Sequence, residues 1–232
     1  MENRSDKSKE IKSHFEKNTT DEYLRGNSSK IGIDLYAYYI IKKVNIKPGF
    51  KYLDIGCGDG KIMKRIMEII PNCEIDGIDI SEKLISKAKL NNNKSDFFVG
   101  NAATFKFNKQ YHKIFSFSFL QYLSLDQIIL MNSSLKNSLI KTEEEQIFHL
   151  SIPDARLKNI PGIIKLSRKK LGFFVAFYQI FTILKSSNTY SNDGSIFHHP
   201  NKIVQHSEKA FKCFLSCSDS YYRFDISFKI NQ

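Results

Sequence analysis

One stretch constrains the chain more than any other: Tyr52-Leu53-Asp54-Ile55-Gly56-Cys57-Gly58-Asp59-Gly60-Lys61. Phe50 to Ile55 reads as a short apolar strand, and three glycines follow at alternate positions. A helical pattern then opens at Lys61, with Ile62, Ile66 and Ile69 on one stripe. A strand, a glycine turn and a helix let backbone come close to a ligand. Glycine tolerates φ > 0 and has no Cβ to hold the ligand away, and a helix start offers unpaired N–H groups. The spacing Gly-x-Gly-x-Gly differs from the dinucleotide fingerprint, Gly-x-Gly-x-x-Gly, and from the P-loop, which ends in Gly-Lys-Ser/Thr. Here Ile62 follows Gly60-Lys61, so the magnesium-binding hydroxyl is missing. Asp54, two residues before the first glycine, would repel a pyrophosphate and attract an ammonium or sulfonium group. The turn therefore suits a ligand with a cationic amino-acid end and no phosphate.

Leu53 to Gly60 resembles the first motif of the class I S-adenosylmethionine-dependent methyltransferases. The resemblance implies S-adenosylmethionine as cofactor, with S-adenosylhomocysteine as product. It also implies an α/β fold: a doubly wound, mostly parallel seven-stranded sheet with an antiparallel last strand. An N-terminal helical cap and an insertion after strand five complete the expected architecture. The alternation of strand and helix patterns through Ile152 agrees with this. A second strand, Glu74 to Ile80, closes on Asp79, which is placed to accept hydrogen bonds from the vicinal hydroxyls of a ribose. Ile80 would pack on the adenine, and Ser81 reads as an N-cap for a helix to about Asn91. Strand three is expected at Asp96 to Val99, followed by Gly100-Asn101-Ala102. Relatives usually carry an acid before that alanine; the amide oxygen of Asn101 can accept the same bond from the adenine amino group. Strand four spans Tyr111 to Phe119. The resemblance places Asp54, Gly56, Cys57, Gly58, Asp79, Ile80, Asn101, Ala102, Ser116 and Phe117 at the cofactor, the last two mainly through backbone. Gln121 and Tyr122 would face the transferring methyl.

The flanks are less regular. Residues 1–30 are polar and charged with small apolar islands, Phe15 and Tyr23 among them, and no signal peptide is expected at the start. The pattern Ile33, Leu35, Tyr38, Ile41 predicts a helix packed near the sheet. Phe15 and Tyr23 either line the pocket or anchor the cap. Beyond Pro153, residues 156–185 mix seven basic residues with an apolar run of 14, Leu171 to Leu184. That run falls short of the roughly 20 residues needed to span a bilayer. A substrate lid is the preferred reading, with a dimer surface or peripheral membrane contact as alternatives. Residues 186–200 are turn-rich and carry Tyr190, Asp193, His198 and His199. Tyr190 is a candidate substrate contact. His199 or His198 is the candidate general base for a hydroxyl acceptor, since histidine titrates near neutrality; otherwise the pair orients substrate or caps the loop. A closing helix and two strands, Lys212–Ser218 and Tyr222–Lys229, end the chain. The whole reads as one domain over 1–232: cap 1–46, cofactor core 47–155, insertion 156–200, closing segment 201–232.

The net charge of +11 favours an anionic partner, or else reflects a lysine-rich composition. The four cysteines have no metal-ligand spacing and read as thiols of a reducing cytoplasm, so no metal is expected. Neither the Asn/Asp-Pro-Pro-Tyr/Phe signature of adenine methylation nor a Pro-Cys pair for cytosine occurs, and the basic residues are not interleaved with an aromatic platform, which disfavours nucleic acid. A small anionic acceptor, methylated on oxygen, is the leading expectation. An RNA- or membrane-associated methyltransferase and a non-catalytic cofactor-binding protein are the alternatives. Oligomeric state is not legible.

Overall fold

A computed structural model describes residues 4–17, 30–155, 196–218 and 223–231. The expected Tyr23 and Tyr190 contacts, Asp193, and the lid, dimer or membrane role of the Leu171–Leu184 run lie outside these residues. Seven strands form one sheet in the order β3-β2-β1-β4-β5-β7-β6. They are β1 Lys51–Ile55, β2 Glu74–Asp79, β3 Phe97–Val99, β4 Lys113–Phe117, β5 Ile147–Pro153, β6 Phe211–Cys217 and β7 Arg223–Ile230. Strands β3, β2, β1, β4 and β5 pair in parallel, and β7 runs antiparallel to both its neighbours. The helices are α1 Arg4–Lys17, α2 Lys30–Val44, α3 Lys61–Ile69, α4 Glu82–Asn91, α5 Leu125–Leu135 and α6 Pro200–Ser207. Among the described residues no helix is long and apolar enough to cross a membrane.

Both sheet faces are covered, as a parallel sheet requires. Tyr52, Ile75, Phe115 and Phe148 pack with Ala37, Ile40, Met63, Ile66 and Ile85 from α2, α3 and α4. Leu53, Ile55, Ile78, Ile114 and Ile147 pack with Ile128, Met131, Leu135 and Ile203 from α5 and α6. Alternation along β1 thus sends Leu53 and Ile55 to one layer, and Tyr52 and Asp54 to the other. The strand order reverses between β1 and β4, and in such sheets ligands bind beyond the carboxyl ends at that point.

Three expectations need correction. The helix at 30–44 buries Ala37, Tyr39, Ile40 and Val44, and leaves Leu35 and Tyr38 more than half exposed. Apolar residues surround most of α2, so periodicity could not choose its face. Residues 4–17 form a helix where no regular pattern was expected; its support is tertiary, at the start of α4. Strand four ends at Phe117 because Ser118 turns at φ 52°.

Candidate cofactor and acceptor site

Gly56, Gly58 and Gly60 all take positive φ, 76°, 56° and 71°. Two are also short of space. A Cβ on Gly56 would lie 2.5 Å from Phe119 Cδ2, and one on Gly60 would lie 2.6 Å from Asn92 Nδ2. Gly58 differs: nothing lies within 4 Å of its Cβ position, so this glycine faces open space at the turn. The Cys57 side chain packs down on Gly77 of β2, and burial pushes its thiol well up. What Cys57 offers the turn is its backbone.

Asp79 is the hinge of the site. Its Oδ2 accepts from the Gly58 amide at 3.0 Å and its Oδ1 from the Ser81 amide at 2.9 Å, so one carboxylate ties the glycine turn to the start of α4. Burial raises its proton affinity against the lowering effect of those amides and that of Ile80. Asp54 is 6% exposed, and no described residue donates to its carboxyl group. Burial, followed by the charge of Asp79, pushes it up to about 8. Two carboxyl groups that cannot both ionise comfortably make a site for a positive charge.

The cleft beside them is lined by Gly56, Asp79, Ile80, Gly100, Asn101, Ala102, Phe119 and Tyr122, and by Ile11 of α1. Its volume is about 40 Å³, well below the roughly 300–1,000 Å³ of small-molecule pockets, because α1 lies over it. Phe15 meets Tyr122 edge to face at 5.1 Å. Glu16 accepts from the Glu82 amide at 2.9 Å, Lys83 donates to the Glu16 carbonyl at 2.8 Å, and Lys12 pairs with Glu82. Asn101 Oδ1 accepts from the Ala103 amide at 3.0 Å.

The other predicted residues sort into two groups. Ser116 and Phe117 turn their side chains elsewhere. Ser116 is fully buried, bonded to His149 Nδ1 at 2.8 Å, with His149 Nε2 2.9 Å from Asn132 Oδ1. Burial lowers His149 to about 3, so it is neutral. Phe117 packs on Tyr36 and Tyr39 of α2. Gln121, Tyr122 and His198, by contrast, come together beyond β4 and β5. The Ile196 amide donates to the Gln121 carbonyl at 2.7 Å, and residues 154 and 198 form a parallel bridge. His198 Nε2 donates to the Leu120 carbonyl at 2.9 Å, which commits that nitrogen to structure. His199 precedes α6, and its Nδ1 is buried without a partner.

Sequence reasoning missed Arg223. It is 8% exposed at the start of β7, opposite Pro153. The signal was available: Arg223 and Asp225 are charged at alternate positions of a strand otherwise rich in apolar residues.

A family model described as a methyltransferase domain matches residues 53–139. The malonyl-[acyl-carrier protein] O-methyltransferase 1 of Ilyobacter polytropus is 33% identical over 89 residues, 37% of this chain and 33% of that protein. The 24-methylenesterol C-methyltransferase 3 of Arabidopsis thaliana is 33% identical over 73 residues, 32% of this chain and 20% of that protein. The chain therefore spans a third or less of these curated relatives. The magnesium protoporphyrin IX methyltransferase of Synechocystis, solved with S-adenosylmethionine bound, superposes with a TM-score of 0.61 at 14% identity, over 96% of this chain and 97% of that one. Residues 53–139 thus match a methyltransferase domain, and the fold is one shared with a methyltransferase of known structure. The matched segment, 53–139, begins within β1 and runs past α5, and the Asp54–Gly60 turn falls inside it.

Proposed function

We propose that this methyltransferase binds S-adenosylmethionine across the Gly56–Gly60 turn and methylates a small anionic acceptor. The observation that carries the reading is the pair Asp54 and Asp79 flanking a positive-φ glycine turn at the switch point of the sheet. The donor set fits the cofactor: Asp79 for the ribose hydroxyls, Ile80, Asn101 and Ala102 for the adenine, and Asp54 for the cationic amino-acid end. Gly58 leaves room for close approach. Bound there, S-adenosylmethionine supplies a methyl group already activated on a sulfonium centre. The protein's task is then chiefly alignment of acceptor and methyl.

The acceptor lies on the β4 and β5 side, among Gln121, Tyr122 and the loop histidines. We read it as a hydroxyl of a sugar or phosphorylated precursor of a surface glycan or secondary metabolite. The net charge of +11 supports an anionic acceptor. By their names these proteins act on a carrier-protein-linked malonyl group, a sterol and a porphyrin, so the likeness selects no single acceptor. For a hydroxyl acceptor, His199 is the better base, because the Nε2 of His198 is already donating to Leu120. Calorimetric titration with S-adenosylhomocysteine, with NAD as control, tests the reading. Micromolar binding that disappears in Asp79→Ala is expected. Binding of NAD, or folded protein that ignores S-adenosylhomocysteine, would overturn it.

A further inference from the structure

A turn containing Gly56, Gly58 and Gly60 has little side chain of its own to fix it, so its support comes from outside. Helix α4 holds it from both ends. At the start of α4, Asp79 accepts from the Gly58 and Ser81 amides and fixes the amide side of the turn. At the end of α4, two neighbouring asparagines hold the carbonyl side. Asn91 Nδ2 donates to the Asp59 carbonyl at 2.8 Å. Asn92 Nδ2 donates to the Gly60 carbonyl at 3.0 Å and to the Ala88 carbonyl at 3.3 Å. The Asp59 side chain also turns to this limb, its Oδ1 accepting from the Lys61 amide at 3.3 Å and its Oδ2 pairing with the Lys61 ammonium at 3.1 Å.

The two asparagines divide the task. Asn92 is 6% exposed at the carboxyl cap of α4, and its Oδ1 is buried without a partner among the described residues. That orphaned oxygen carries a desolvation cost, and the two bonds of the nitrogen offset it. A reversed amide would set oxygen against both carbonyls, which settles its orientation. The Gly60 carbonyl accepts as well from the Lys64 amide at 2.9 Å, so Asn92 mainly seats the start of α3 against α4. Asn91 is half-buried and is the group that holds the Asp59 carbonyl. Without it the Asp59–Gly60 peptide gains freedom to rotate, because Gly60 restrains it little.

In the function proposed above, on which this inference rests, Asp79 takes the ribose hydroxyls and Asp54 the cationic amino-acid end. The turn lies between those two acids, so the amino-acid tail crosses it. That tail carries a carboxylate beside its ammonium, and a carbonyl oxygen turned toward it would repel it. We propose that Asn91 and Asn92 are positioning residues for the amino-acid end of the cofactor, keeping the Asp59 and Gly60 carbonyls turned to α4 and away from that tail. Both act through the backbone of the turn. A nucleoside without the tail gains nothing from them.

Two probes separate this role from a general support of the fold. One is S-adenosylhomocysteine; the other is 5′-methylthioadenosine, which keeps the adenosine and the thioether but lacks the amino-acid tail. Each is titrated calorimetrically into the full chain, as wild type and as Asn91→Ala. Alanine is the better helix former, so the last turn of α4 should hold and the thermal midpoint should not fall. S-adenosylhomocysteine should bind the wild type more tightly than 5′-methylthioadenosine does. In Asn91→Ala its affinity should drop about tenfold, with that of 5′-methylthioadenosine changed by less than about twofold. If Asn91→Ala does not fold, Asn92→Ala is read by the same ratio. A loss for 5′-methylthioadenosine as large as that for S-adenosylhomocysteine, or no loss for either, overturns the proposal, and the asparagines then only support the fold. Equal wild-type affinities for the two probes overturn it as well, since the tail then gains nothing from the turn. Folded wild-type protein that binds neither probe refutes the cofactor reading itself, and this proposal falls with it.

Discussion

Cofactor binding to this protein should release a proton, and Asp54 is the group that releases it. Its carboxyl is pushed from an ordinary 3.8 to about 8, by burial first and by Asp79 second. Asp79 and the Cys57 thiol are the titratable groups facing it, and Glu16 of α1 faces Asp79 in turn. At pH 7 the carboxyl is therefore about nine-tenths protonated. A cationic amino-acid end gains from it only once it is ionised, and ionisation costs about 1.4 kcal/mol for each pH unit below 8. The affinity for S-adenosylhomocysteine should fall about tenfold from pH 7 to pH 6, with about one proton released per molecule bound at pH 7. Calorimetry in two buffers of different ionisation heat counts that proton directly. Asp54→Asn should flatten the pH dependence and remove most of the buffer difference; any remainder belongs to Asp79, which burial also raises. Identical heats in both buffers, with micromolar binding intact in the wild type, would refute the argument.

The remaining predictions concern the frame. His149 is held at about 3 against an ordinary 6.5, so the folded state binds fewer protons between those values. Stability is full above pH 6.5 and should fall by about 1.4 kcal/mol per pH unit on acidification below it; urea midpoints at pH 7, 5.5 and 4.5 read this slope, which His149→Phe should flatten. Gly56→Ala forces a methyl to 2.5 Å from the Phe119 ring, whereas Gly58→Ala meets no neighbour. Thermal unfolding should show the larger loss in Gly56→Ala, because Gly58→Ala carries only the strain of about 1–2 kcal/mol; calorimetry should show that Gly58→Ala loses S-adenosylhomocysteine affinity all the same. Asp225→Asn leaves Lys43 and Tyr39 without their shared acceptor, and should lower the unfolding free energy by about 3 kcal/mol in denaturant titration.

What could be read in advance followed from local chemistry. The turn at Gly56–Gly60 was legible because its glycines are needed where they stand, and Asp79 because strand length places a strand-end acid. The positions of the strands along the chain were legible from apolar runs and turn residues, whereas their arrangement in the sheet was what the family resemblance implied. Long-range packing was not. Leu35 and Tyr38 look like core residues until Ala37, Ile40 and Val44 turn out to face α3 and the sheet. Residues 4–17 have no apolar stripe of their own and gain their helix from Glu82, Lys83 and Tyr122, far along the chain. Arg223 lies 102 residues from Gln121, and only the antiparallel return of β7 beside β5 brings them together.

The acids at the glycine turn gather on one side of the sheet's carboxyl end: Asp54, Asp79 and Glu16 stand on the β1, β2 and α1 side. The switch point between β1 and β4 is the boundary. In the proposed reaction a sulfonium donor is held on the acidic side, and the acceptor approaches from the β4 and β5 side. The two reactants are then oriented toward one another before any bond changes, which is the larger part of what a methyl transfer asks of a protein. A glycine turn alone would accept a pyrophosphate as readily as a nucleoside with an amino-acid tail. Here the acids exclude the first, and Asp54, buried without a donor among the described residues, makes the second favourable.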